Sequence, residues 1–360
     1  MKDVHGGNIL EAHLTLSGRI LDFSASINPL GPPLSVVAAI HAGLDMLSHY
    51  PDPQNIALRK ALSVFHSNGI EPRHILPCNG SIEAIHLLPR VFKPRRVLIV
   101  EPAFSEYRAS LAGIGCVVHS LKLREEDGFA LRASVLESAL AKGYDLFYIA
   151  NPSNPIGALI NKDTLISVAQ VCAKRKTIMV VDEAFIDFCE NESLKHEAVR
   201  FGNVIVLRSM TKFYSMAGLR LGYVVACDAL IKKLSVAMPP WSVNTIAALA
   251  GSAALKDAAF AARTLEWFEK ERVYLAKGLS SLSGVIIYPS AANFFMARLS
   301  GDLRDAVELK KRLFERRILI RELGGFRGLD LKKGYFRVAL RTRSENRCLL
   351  SALCKALTPA

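Results

Sequence analysis

Five short apolar runs do most to limit the fold of this chain: 96–100, 117–121, 146–150, 177–181 and 204–207. Each is too short for a helix and rich in Val, Ile and Leu, and none shows a polar face. Helical segments separate most of them. Strands apolar on both faces, with helices between, predict a mostly parallel α/β sheet covered on each side. In such sheets ligands collect just beyond the carboxyl ends of the strands. The residues that follow each run are therefore where chemistry is to be sought.

The last run leads into Arg208-Ser209-Met210-Thr211-Lys212, and Gly218-Leu219-Arg220-Leu221-Gly222 follows. An amine flanked by a hydroxyl and a guanidinium suits a cofactor that carries both an aldehyde and a phosphate. Lys212 can form a Schiff base with the aldehyde. Ser209 and the planar fork of Arg220 can hold the phosphate. Pyridoxal 5'-phosphate fits that description. Asn79-Gly80-Ser81 precedes an apolar-periodic helix. Free N–H groups at a helix start, beside a glycine, make an anion site; a simple cap by Ser81 is the competing reading. Val180-Val181-Asp182-Glu183 ends an apolar run in acid. A carboxylate there is costly without a cation. A protonated pyridine nitrogen would be that cation, so Asp182 takes this role and Glu183 serves the local structure. Asn151-Pro152-Ser153-Asn154-Pro155 follows the run 146–150. Asn-Pro turns by itself, which suffices to explain Asn151.

Pro and Gly punctuation marks an extended arm with turns over 1–32. A large domain is expected over 33–260, with helices at 33–47 and 56–65. A small α+β domain is expected over 261–360, with the arm free to pack against it. Its expected strands are 285–288, 293–298, 318–321 and 335–340, with helices at 303–314 and 344–356. A chain of 360 residues, 51% apolar, can bury a large core. No apolar run approaches the roughly 18 residues of a membrane span, and residues 1–7 lack the apolar core of a signal peptide. The seven cysteines are scattered and odd in number. They read as reduced thiols of a cytoplasmic protein, not as disulfides or a metal site. The net charge of +13 is dispersed. Its densest clusters, Lys93-Pro94-Arg95-Arg96 and 312–321, lack interleaved aromatics, so a nucleic-acid partner is not expected. A positive field can instead attract a small anionic substrate.

Taken together, these motifs resemble the fold-type I pyridoxal-phosphate enzymes of the aspartate aminotransferase superfamily, in the family's order and over nearly the whole chain. The resemblance implies that Lys212 carries the cofactor and that Gly80, Ser81, Ser209 and Arg220 form its phosphate cup. It implies that Tyr107 stacks on the pyridine ring, that Asn154 bonds the 3'-oxygen and that Asp182 pairs with the ring nitrogen. It also implies that Tyr50 reaches the cofactor phosphate of a neighbouring subunit, hence a homodimer with shared sites. Aminotransferases of this group usually carry a tyrosine three residues after the aspartate; here it is Phe185. His5-Gly6-Gly7-Asn8, Ile27-Asn28-Pro29-Leu30-Gly31, Asp182-Glu183-Ala184-Phe185-Ile186-Asp187-Phe188 and Tyr335-Phe336-Arg337-Val338-Ala339-Leu340-Arg341 are similar to one branch, the threonine-phosphate decarboxylases of cobalamin synthesis. That resemblance implies substrate contacts at His5, Gly6, Asn154, Arg321 and Arg337. It adds Ser26, where the branch has an asparagine. A phosphorylated amino acid is the substrate implied. The alternatives are a histidinol-phosphate-type aminotransferase, or the same fold recruited for binding alone.

Overall fold

The computed structural model describes residues 6–300 and 305–357. Strand β1 (Leu21–Asp22) lies near the N-terminus. Strands β2 (Ile75–Cys78), β3 (Arg96–Glu101), β4 (Val117–Lys122), β5 (Leu146–Ala150), β6 (Ile178–Asp182), β7 (Val204–Ser209) and β8 (Gly222–Ala226) form a seven-stranded sheet. Its order is β2-β8-β7-β6-β5-β3-β4. All neighbours from β7 to β4 are parallel; β8 runs against both β7 and β2. The link from β7 to β8 holds a 3-10 turn, Ala217–Leu219, and no α-helix to carry a crossover, so the chain returns antiparallel. The chain of five runs expected from the sequence is all present. Strands β2 and β8 were not expected, and they complete one edge of the sheet.

The alternation of strand side chains explains why the runs of β3, β5, β6 and β7 are apolar throughout, whereas the edge strand β4 carries His119 and Ser120 and leaves Val117 exposed. Leu98, Val100, Phe147, Ile149, Met179, Val181, Val204 and Val206 enter one core. Val97, Ile99, Leu146, Tyr148, Val180, Ile205 and Leu207 enter the other. Period-two alternation with both faces covered consumes every position. The same parity sorts the polar residues at the strand ends. Ser209 continues the face of Leu207, whereas Arg208 points to the opposite side. There it meets Glu183, Asp187 and Glu190 at 3.5, 3.1 and 2.7 Å. Glu183 also accepts from Ser193 and the Leu194 N–H, and so serves the local structure.

Beyond the helices Thr245–Ala254 and Ala258–Ser280 lie β9 (Val285–Ile287), β10 (Phe294–Leu299), β11 (Ile318–Leu319), β12 (Arg321–Glu322) and β13 (Tyr335–Ala339). Four of them form an antiparallel sheet in the order β12-β13-β10-β9. The run 318–321 is not one strand. Ile318 and Leu319 pair in parallel with β1, so the N-terminal segment is hydrogen-bonded to the C-terminal part, while Arg321 turns into the four-stranded sheet. The N-terminal segment also contains a helix, Ile9–Thr15, where an extended arm was expected. Only Ala12 is buried in it, so it lacks the apolar stripe that would reveal a helix. The helix expected over 33–47 ends at Ala42, and a 3-10 segment follows Gly43. Among the described residues no single helix is long and apolar enough to cross a membrane; the bent pair Thr245–Ala254 and Ala258–Ser280 reaches that length and composition only jointly.

Candidate active site

A cavity of about 470 Å³ opens at the carboxyl ends of β3, β5, β6 and β7, between the two sheets. The structure brings Gly6, Ser26, Gly80, Ser81, Tyr107, Asn154, Asp182, Ser209, Lys212, Arg220, Arg321 and Arg337 to its wall. Tyr50 is not among them. It is 82% exposed and stacks on Trp241 at 4.7 Å. His5 lies outside the described residues.

Lys212 Nζ donates to Ser209 Oγ at 3.1 Å, and the same oxygen lies 2.8 Å from Thr211 Oγ1. The loop that carries the lysine is pinned from the N-terminal segment. Asn28 N–H donates to the Lys212 carbonyl, and Asn28 Nδ2 donates to the Phe213 carbonyl and to Thr264. Burial pushes the Lys212 amine down to about 8, reinforced by the Arg220 and Arg337 charges and opposed by Asp182. A neutral amine at modest pH is what attack on an aldehyde requires.

Asp182 is buried, and burial raises its carboxyl although Tyr107, Lys212 and the Ala184 N–H all pull the other way. Tyr107 donates to its Oδ2 at 2.6 Å and Ala184 N–H to its Oδ1 at 3.1 Å. A buried carboxylate with this balance gains from a further cation. Tyr107 is 1% exposed and its ring is stacked on Tyr148 at 5.2 Å. What it offers the site is therefore its hydroxyl to Asp182. The half-buried Phe104, which also lines the cavity, presents the more open aromatic surface. Tyr148 covers one face of the Tyr107 ring, and the ring still lines the cavity.

The anion cup rests on two close approaches. Gly80, at φ +72, opens the helix Ser81–Phe92 as its cap, and no side chain satisfies the first turn. Ser81 is the first helical residue and does not cap, which removes the competing reading. A Cβ on Gly80 would lie 2.6 Å from Arg220 Nη2, so the glycine admits the guanidinium over the helix start. A Cβ on Gly222 would lie 2.4 Å from the Ser81 nitrogen. These two glycines seat free N–H groups, Arg220 and Ser209 around one point, as a bound phosphate needs.

On the opposite wall, Arg337 is buried. Its Nη1 donates to Asn154 Oδ1 at 2.6 Å and its Nη2 to the Ser24 carbonyl at 3.2 Å, while Nε has no hydrogen-bond partner among the described residues. It faces Arg321 directly across the β12–β13 pair. Burial, and then Arg321, push its guanidinium down to about 10. Ser26 Oγ is buried in the same wall without a hydrogen-bond partner among the described residues. Gly6 packs so closely on the Ser24 carbonyl that a Cβ would overlap it at 2.2 Å. Phe185 lies between the walls, edge-on to Phe294 at 5.1 Å, with Lys212 Nζ 5.6 Å from its ring and Arg337 4.7 Å from that of Phe294. Sequence reasoning missed Ser24, Thr211, Phe104 and Gly222 as parts of the site. Gly222 had a signal, since it closes the Gly-x-Arg-x-Gly pattern.

Residues 19–353 match the model of the aminotransferase class I and II family, and the chain belongs to that family. It is 40% identical to the threonine-phosphate decarboxylase of Salmonella typhimurium, over 98% of this chain and 96% of that protein. Among solved structures, the histidinol-phosphate aminotransferase of Clostridium acetobutylicum superposes with a TM-score of 0.86 at 30% identity, covering 93% of this chain and 98% of that one. The L-threonine-O-3-phosphate decarboxylase of Porphyromonas gingivalis superposes with a TM-score of 0.82 at 27% identity, covering 94% and 99%. Pyridoxal 5'-phosphate is the cofactor, and the fold is that of the fold-type I enzymes.

Proposed function

We propose that this protein decarboxylates L-threonine O-3-phosphate to (R)-1-amino-2-propanol O-2-phosphate, a step of cobalamin synthesis. One observation carries the choice of substrate: Arg321 and Arg337 lie side by side across two strands, on the wall facing Lys212. Two guanidiniums at one end of a cavity suit a ligand with two anionic groups. The identity to a threonine-phosphate decarboxylase over nearly the full length supports the reading.

Bound pyridoxal 5'-phosphate supplies an electrophilic aldehyde and a ring that accepts electrons. Lys212 holds it, Ser209, Arg220 and the helix start at Ser81 receive its phosphate, Asn154 donates to its 3'-oxygen, and Asp182 matches its ring nitrogen. Arg321 and Arg337 would grip the substrate's phosphate and carboxylate and so fix its orientation against Lys212; orientation of this kind is worth about 7–11 kcal/mol. Lys212 returns a proton to Cα once CO2 has left. Gly6, His5 and Ser26 complete the substrate side. Phe185 brings no hydroxyl to the site, and this lack helps to separate loss of CO2 from loss of the Cα proton.

A homodimer of the cytoplasm completes the reading. Its support is the exposed apolar surface of Leu34, Leu44, Leu47, Tyr50 and Trp241, together with cysteines that form no disulfide. The test supplies purified protein with the cofactor, L-threonine O-3-phosphate and 2-oxoglutarate. CO2 without glutamate is expected. Glutamate without CO2 would place the chain with the histidinol-phosphate-type aminotransferases. Phe185→Tyr should raise glutamate relative to CO2; an unchanged ratio would remove Phe185 from the argument.

A further inference from the structure

The acid Glu125 stands outside the cavity, on the 3-10 turn Glu125–Asp127 that follows β4 of the large sheet. Its carboxylate collects donors from the small sheet. Tyr288 donates to Oε1 at 2.6 Å, and Tyr335 and Lys333 donate to Oε2 at 2.7 and 2.6 Å. Arg298 Nε forms an ion pair with Oε1 at 2.6 Å. These residues come from the ends of β9, β10 and β13, and Arg298 and Tyr335 are register partners. One carboxylate therefore ties one edge of the large sheet to three strands of the small one. Burial would raise the acid, but donation from Lys333, Tyr288 and Tyr335, with the Arg298 charge, holds it down to about 2. It stays ionised under any ordinary condition.

Two links run from this cluster to the site. Tyr335 and Arg337 are two residues apart on β13, so their side chains leave the same face of the strand. Beneath the carboxylate, Phe129 packs edge-on against Tyr288 at 5.1 Å, in a core shared with Ile156, Leu323 and Tyr335. Ile156 belongs to the turn that carries Asn154. The cluster thus borders both partners of the Arg337–Asn154 bond.

We propose that Glu125 is a positioning residue, which sets β13 against the Asn154 turn and so fixes the distance between the substrate-holding guanidiniums and the cofactor side of the cavity. It rests on the reading that Arg321 and Arg337 bind substrate. Asp182, Ser209, Arg220 and Lys212 lie outside the cluster, and Asn154 is its one link to the cofactor, so cofactor affinity changes far less than substrate KM when Glu125 is changed.

The test compares cofactor-loaded wild type with Glu125→Gln, Glu125→Asp and Tyr288→Phe; the last removes one donor without leaving the small-sheet cations unpaired. Glu125→Gln should raise KM for L-threonine O-3-phosphate about tenfold, the equivalent of about 1.4 kcal/mol. Turnover and cofactor affinity should stay within about twofold of wild type. Glu125→Asp and Tyr288→Phe should give smaller rises in KM. Amide hydrogen exchange should quicken over Arg321–Glu322 and Tyr335–Ala339 and stay unchanged over Val204–Ser209. Exchange that quickens equally in both sheets, or KM and cofactor affinity that weaken together, would reduce Glu125 to a general stabiliser and overturn the proposal. If wild type turns over no threonine phosphate, the functional reading fails by itself. The exchange pattern then decides Glu125: acceleration confined to β12 and β13 upholds the coupling, and none overturns it.

Discussion

The two walls of the cavity are built on opposite plans. On the large-sheet wall the polar groups hold one another: Tyr107 and Ala184 on Asp182, Ser209 on Thr211 and Lys212, Asn28 on the lysine loop. On the other wall Arg337 reaches Asn154 and the Ser24 carbonyl, but the pairing is less complete. Among the described residues Ser26 Oγ and Arg337 Nε are buried without hydrogen-bond partners, and Arg337 lies register-paired with Arg321, a like charge. Buried polar atoms without partners cost about 1–3 kcal/mol each, unless a ligand satisfies them. The first wall is preorganised for a resident group. The second is incomplete until an anion arrives and leaves again. A site that turns over substrate while retaining its cofactor needs this asymmetry.

The comparison can be broken most sharply at Arg337. Arg337→Ala should raise the substrate KM about 30-fold, as expected for about 2 kcal/mol lost with a buried charged contact. Cofactor affinity, read by titration, should hardly move. A parallel loss of both would show that the walls are not separable. The converse test is Gly80→Ala, which forces a side chain onto Arg220 and onto a φ of +72. Strain of this kind costs about 1–3 kcal/mol, so cofactor affinity should fall about tenfold while substrate KM, measured at saturating cofactor, stays near wild type. The smallest effect is a shift in pH. Only the neutral amine of Lys212 attacks, so the rate of cofactor uptake by apo-protein should rise with pH and level off above about 8. Asp182 raises that amine, so Asp182→Asn should move the midpoint to lower pH, whatever it does to the final affinity. A midpoint that stays put, followed by absorbance, would mean the two groups do not sense each other.

Much of the large-sheet wall was legible before any coordinates. Its residues follow directly on strands that announce themselves by β-branched runs, and strand parity then dictates that Ser209 faces the cavity and Arg208 does not. Strands β2 and β8 were harder. The first contains Pro77, and the second begins at Gly222, directly after the loop that carries Arg220, so its start reads as part of that loop. The helix Ile9–Thr15 left no trace because it buries almost nothing. The split of 318–321 between two sheets was invisible for a different reason. Three apolar residues and Arg321 follow one another without a turn residue, and only the partner strands, β1 for Ile318 and β13 for Arg321, divide them.

By itself, then, the sequence determined the alternation of strands and helices and the class of cofactor, and it singled out Lys212, Asp182, Ser209, Gly80 and Arg220, which the fold brings to one cavity. Those depend on residues close in the chain or at strand ends, where period and spacing are local properties. The tertiary structure alone decided that Tyr107 gives its hydroxyl to Asp182 with its ring on Tyr148, that Arg337 reaches Asn154 across 183 positions, and that Glu125 joins the two sheets 208 positions from Lys333. Contacts at such separations follow from how two sheets dock, and no short-range pattern encodes the docking.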